Sequence, residues 1–132
     1  MSKKNETPLE SKEQETFFEY SDLLWGRFPS LEYLLFATQS GAWLAGNAAR
    51  RAKQIQAANR RGRKNGVADI LCLIPMGEYS GLVIEMKRRT GGKVSQAQKD
   101  WLAAAESNGY YVVVAYGADE AIDALNYYLG IS

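Results

Sequence analysis

The chain has 132 residues, 46% hydrophobic and 23% charged, the profile of a folded, water-soluble protein with a sizeable core rather than of a disordered or membrane-spanning one. It contains no histidine and one cysteine, Cys72. That excludes imidazole general bases, Ser-His-Asp and Cys-His sites, histidine-ligated zinc and a disulfide framework.

The polar first residues lack the apolar stretch of a secretory signal, which predicts a cytoplasmic protein with a loose tail over residues 1–9 and one domain over 10–132. Glu10 to about Trp25 reads as a helix, with Ser11 as N-cap, acids in the first turns and apolar residues at 17, 20, 24 and 28. Phe28-Pro29-Ser30 ends it. Tyr33–Ala37 reads as a short strand. Residues 45–60 have high helix propensity, and Gly62 stops them. Val67–Ile74 reads as a strand ended by Pro75, and Leu82–Lys87 as a second strand paired with it in an antiparallel hairpin. Ser95 caps a helix running to about Ser107, with Ala97, Trp101, Ala104 and Ala105 on one stripe. Tyr110–Tyr116 is the most strand-like segment of the chain, and a last helix spans 118–129. The late β-α-β unit predicts an α/β fold, a mixed sheet with helices on both faces. Cys72 reads as core, as do Trp25, Trp43 and Trp101, with a secondary possibility that Trp43 touches nucleic acid or a partner subunit.

The net charge of +1 hides a segregation. Residues 1–32 carry four basic and seven acidic side chains, 33–93 eleven and three, and 94–132 one and five. Arg50, Arg51, Lys53, Arg60, Arg61, Arg63 and Lys64 run without an intervening acid, and Lys87, Arg88, Arg89 and Lys93 follow. Such a run can be a solvated helix face. Its uncompensated repulsion also suits a polyanion, and release of counterions from phosphates drives that binding. The expected partner is nucleic acid.

Asp69, Glu85 and Lys87 occupy strand positions where valine would suit a purely structural role. Alternation puts Glu85 and Lys87 on one face, and pairing of the two strands brings Asp69 beside Glu85. Two neighbouring carboxylates resist joint ionisation unless a cation lies between them. A hard divalent ion such as Mg²⁺ or Mn²⁺ suits that donor set and can activate water against a phosphodiester. The plainer reading of Glu-x-Lys is a solvated strand edge, and of Asp69 a turn residue.

Gly66-Val67-Ala68-Asp69, then Glu85-Met86-Lys87, then Ser95-Gln96-Ala97-Gln98-Lys99-Asp100-Trp101-Leu102, then Gly109-Tyr110, resemble in order and spacing the VRR-NUC (virus-type replication-repair nuclease) family of the PD-(D/E)xK nuclease superfamily. The resemblance covers residues 10–129 and implies the superfamily core, αβββαβ, with residues 45–60 as an inserted helix. It implies that Asp69 and Glu85 are metal ligands, with the carbonyl of Met86 facing the metal, that Lys87 is the catalytic lysine, and that Gln98 lies close to the active site. It also implies a first-helix glutamate. Glu13 fits that position best, with Glu15 and Glu19 as competitors, although an acid in a first helical turn also serves the macrodipole. Two departures from the family pattern are Ala68, where proline is expected, and Ser40-Gly41, where Asn-Gly is usual.

The resemblance further implies a Mg²⁺- or Mn²⁺-dependent endodeoxyribonuclease of phage or bacterial origin. Short family members of this kind resemble homodimeric Holliday-junction resolvases. The expected substrate is therefore branched DNA, with segments 50–64 and 87–93 holding the backbone. The apolar surface of residues 33–46 and the tyrosine-rich C-terminal helix are candidate dimer interfaces. The alternatives are a nuclease of flapped or linear duplex and a DNA-binding module whose site does not cleave.

Overall fold

A computed structural model of the chain describes residues 9–38 and 46–131. The expectations for the N-terminal tail, for Ser40-Gly41 and for Trp43 lie outside the described residues, as does part of the 33–46 surface. In chain order the elements are α1 (Glu10–Asp22), α2 (Leu31–Leu34), β1 (Leu35–Ala37), α3 (Ala48–Arg60), β2 (Ile70–Cys72), β3 (Gly81–Lys87), α4 (Gln96–Ser107), β4 (Tyr110–Tyr116) and α5 (Ala118–Leu129).

Among the described residues the strands form one sheet in the order β1-β2-β3-β4. The first two pairings are antiparallel and β3 with β4 is parallel. This is the mixed sheet expected from the sequence, with helices on both faces. Strand alternation sorts the side chains into two layers. Ile70, Cys72, Leu82, Ile84 and Met86 pack with Phe17 of α1 and Leu125 of α5 in the larger core. Val83 of β3 packs on the opposite face with Ala68 and Leu102, the latter from α4. Every residue of β3 is buried, as a strand flanked on both edges and covered on both faces should be. Trp101 packs against the second layer. Trp25, by contrast, is 38% exposed and belongs to neither core.

Several boundaries differ from the sequence reading, for identifiable reasons. The N-cap of α1 is Leu9, with no side-chain cap, so Ser11 lies inside the first turn. Tyr33 and Leu34 belong to a helical turn: their N–H groups both donate to the Ser30 carbonyl, at 3.1 and 2.8 Å. An unbroken apolar run carries no period to separate that turn from a strand. β2 covers three residues of the expected eight because β1, its partner on one side, has only three. Past β1 the pairing passes to Thr38, whose N–H donates to the Asp69 carbonyl (2.9 Å) and whose hydroxyl donates to that of Ala68 (2.7 Å). Asp69 therefore stands just outside the strand, pinned by the end of β1. α3 begins at Ala48, capped by the Asn47 side chain accepting from the Arg50 N–H (2.9 Å), and has no buried residue.

Candidate active site

Three elements converge at the end of β3. The register Ile70↔Ile84 brings the residue before β2, Asp69, alongside Glu85. The Met86 N–H donates to Asp69 Oδ2 at 2.8 Å, fixing that carboxylate. Met86 thus meets Asp69 through its amide, while its side chain is buried in the opposite core layer. From α4, Gln98 performs two tasks. Its Oε1 accepts from the Ser95 N–H (2.9 Å), completing the capping box with the Ser95 hydroxyl, and also accepts from Lys87 Nζ (3.0 Å). Its Nε2 donates to Glu85 Oε2 (2.9 Å). Lys87 Nζ lies 3.4 Å from the same Glu85 oxygen, with both side chains almost wholly buried. Asp69, Glu85, Lys87 and Gln98 therefore form one connected group.

Gly66 makes this convergence possible. Its φ is +79°, and a Cβ there would lie 2.8 Å from the Gln98 backbone nitrogen and closer still to the Ala97 carbonyl. A glycine is needed where the chain leading to Asp69 presses on the first turn of α4.

The first-helix carboxylate beside Asp69 and Glu85 is Glu10, not Glu13. One oxygen from each of Glu10, Asp69 and Glu85 lies within 4.8 Å of the others. Glu13 falls on the buried stripe of α1 with Phe17 and Ser21 and is 3% exposed. Arg89 Nε donates to its Oε2 (2.7 Å), and the Ala118 N–H at the start of α5 donates to its Oε1 (3.1 Å). Those bonds hold Glu13 below the ordinary carboxylate range despite its burial. The spacing 13, 17, 21 signals that Glu13 faces inward and needs a partner there. Glu10 is the first residue of α1 and lies off the buried stripe, so no spacing in the sequence separates it from an acid that only serves the helix start. Glu15 and Glu19 line a separate surface hollow with Lys12 and Arg89.

Glu85 carries the electrostatic tension of the site. Burial, then repulsion from Asp69, push its carboxyl up to about 7, although Lys87 pulls the other way. Its Oε1 is buried and has no hydrogen-bond partner among the described residues. A buried acceptor left bare is costly. Three carboxylates, one with a bare inward oxygen, are the donor set of a hard divalent cation such as Mg²⁺ or Mn²⁺ and do not suit a softer ion preferring sulfur or imidazole.

The basic residues divide. Arg50, Lys53, Arg60, Arg61, Lys64 and Lys93 are exposed and pair with no carboxylate among the described residues. Arg51 donates to the Gly46 carbonyl (2.6 Å), and Arg63 to the side chains of Asn59 and Asn65 (3.0 and 2.7 Å). Arg88 is half-buried. Arg89, expected on DNA, spends its guanidinium on Glu13.

A mixed sheet that gathers an aspartate before one strand, a Glu-x-Lys on the next and a glutamine from the following helix is the PD-(D/E)xK type of nuclease fold. The VRR-NUC domain family matches residues 6–119, and the chain belongs to that family. Among solved structures it is similar to a VRR_NUC domain protein at 32% identity, with a TM-score of 0.57 over 60% of this chain and 65% of the other, less than two thirds of that protein's length. No curated protein matches the chain. Among the described residues no helix is long and apolar enough to cross a membrane.

Proposed function

We propose that the chain is a Mg²⁺- or Mn²⁺-dependent endodeoxyribonuclease that cuts branched DNA such as Holliday junctions, acting as a homodimer in the cytoplasm of a bacterial or phage-infected cell. The observation that carries this reading is the convergence of Glu85, which has a buried Oε1 without a hydrogen-bond partner among the described residues, with the carboxylates of Asp69 and Glu10 and the ammonium of Lys87. Asp69, Glu85 and Glu10 would hold the ion, and the carbonyl of Met86 would be a further oxygen donor to it. When bound, the ion supplies Lewis acidity to a phosphoryl oxygen and to water. Lys87 is held by Gln98 and Glu85 at one place, so its ammonium orients the attacking water and offsets charge on the phosphate without reorganising. Gln98 keeps Glu85 and Lys87 in register. The exposed cations Arg50, Lys53, Arg60, Arg61, Lys64 and Lys93 grip the backbone, and two copies related by a dyad suit two symmetric nicks.

The test is cleavage of a labelled four-way junction beside matched flap and linear duplex, in Mg²⁺, Mn²⁺ or EDTA, with wild type and Lys87→Ala. Symmetric, metal-dependent nicking of the junction that is lost in the variant is expected. Preference for flap or linear duplex would replace the substrate, and tight salt-sensitive binding without cutting in either metal would make the chain a DNA-binding module.

A further inference from the structure

We infer that the outer edge of β4 is the surface by which two copies join, pairing antiparallel with the same edge of a second copy so that their sheets become continuous. This deepens the two-copy reading above and rests on it.

β4 has the sequence of a central strand and the position of an edge. Tyr-Tyr-Val-Val-Val-Ala-Tyr holds no charge, proline or glycine, yet its pairing among the described residues is to β3 alone. Its first five residues are only half-buried, whereas β3 beside it is buried throughout. Natural sheets protect such an edge with lysine, proline, a bulge or a covering element, because its unpaired N–H and C=O groups template another strand. Here one end is closed, where the Tyr116 N–H donates to Glu120 Oε1 at 2.9 Å. The remainder has no such device among the described residues.

The helix above the edge specifies what covers it. An open groove of about 350 Å³ runs between β4 and α4, floored by Val112, Val114 and Leu102 and rimmed by Lys99, Ala103 and Glu106 of α4. The rim is basic at one end, acidic two helical turns later, and small between. A dyad perpendicular to the sheet, lying just outside the edge of β4 level with its middle, sets the two α4 helices antiparallel on the same face. Lys99 then meets the partner's Glu106, Glu106 meets the partner's Lys99, and Ala103 lies near the axis where the helices approach. A surface whose charges complement themselves under a two-fold operation fits a second copy of this chain. On the other face, Tyr127 is 68% exposed and its ring lies 5.5 Å from that of Tyr111 of β4, extending the apolar edge.

Sedimentation of the full chain over a range of concentrations tests this, using wild type, Lys99→Glu, Glu106→Lys and the double reversal. Wild type is expected to sediment as a dimer. Each single reversal opposes like charges at two symmetry-related places and is expected to weaken dimerisation about tenfold, ~1.4 kcal/mol. The double reversal restores the complement and is expected to recover wild-type association, which a damaged fold would not do. Mn²⁺ binding should be unchanged in all four proteins, separating loss of the dimer from loss of the candidate active site. A dimer indifferent to the reversals overturns this surface and leaves the two-copy reading standing. A wild-type monomer at every concentration overturns both.

Discussion

Gln98 donates its side-chain amide to Oε2 of Glu85 at 2.9 Å, while its Oε1 closes the capping box of α4 and accepts from Lys87. The start of a helix and the geometry of a candidate metal ligand thus depend on one side chain. Gln98→Ala should cost both. Loss of half the capping box should lower stability by ~1 kcal/mol, read by thermal melting. Loss of the groups that aim Glu85 and Lys87 should lower cleavage by roughly 10–100-fold, more than that stability change explains. A variant that melts early but cleaves normally would reduce Gln98 to a helix cap.

The burial of Glu85 beside Asp69 predicts how stability responds to pH. Its folded-state pKa is raised from 4.5 to about 7, so between those values the folded protein binds more protons than the unfolded chain. The resulting stability is fully present below about 4.5 and lost as pH rises through about 7. In EDTA the melting temperature should therefore fall across that window, and Mn²⁺ should restore it most at the alkaline end, where no proton competes. Glu85→Gln should flatten the EDTA slope. Glu13 acts with the opposite sign: its lowered pKa contributes stability above the ordinary carboxylate value that disappears as pH falls further. The two groups therefore act in separable ranges of a pH–melting curve.

Glu10 and Glu13 lie one turn apart with different work to do. Glu10→Gln should leave the melting temperature near wild type and weaken Mn²⁺ binding about tenfold, measured by calorimetry. Glu13→Ala should do the reverse in order of severity, because it strips Arg89 and the Ala118 N–H of their acceptor at a junction of α1, the loop after β3 and α5. Gly117 belongs to that junction: a Cβ there would lie 2.8 Å from Arg89 Cγ. If Glu13→Gln abolishes Mn²⁺ binding while Glu10→Gln does not, the assignment of the first-helix ligand is inverted.

The contrast between these glutamates marks where sequence reasoning reached its limit. The pairing of Asp69 with Glu85 follows from alternation and a hairpin, both local rules, and the register agrees with it. The partner of Glu13 is 76 residues away, and no period along α1 points to Arg89. The same holds for the strands. β4 was legible because all seven of its residues are aromatic, β-branched or alanine. β3 was legible from its alternation bounded by glycine and a basic loop, whereas the length of β2 is set by β1 and Thr38 rather than by its own apolar run. Gly66 was legible as part of a motif, but its reason, the close approach of α4, is a fact of tertiary packing.

The basic segment predicts a salt dependence that separates its members. Arg50, Lys53, Arg60 and Arg61 are exposed and lack carboxylate partners among the described residues, while Arg51 and Arg63 are tied to a carbonyl and to asparagines. No residue of α3 is buried, and an isolated helix of that length is marginal in water, so bound phosphate should also stabilise it. Each cation that touches backbone releases counterions, and its removal should reduce the slope of log affinity against log salt by about 0.9. Replacing Lys53 and Arg60 together should therefore lower the slope by nearly two, whatever the DNA shape. Arg89→Met should leave the slope unchanged and lower the melting temperature instead, because its charge is already spent on Glu13. Fluorescence anisotropy at several salt concentrations, with EDTA present to prevent cutting, measures each slope. A slope that falls for Arg89 and not for the α3 pair would move the DNA path from the helix to the loop after β3.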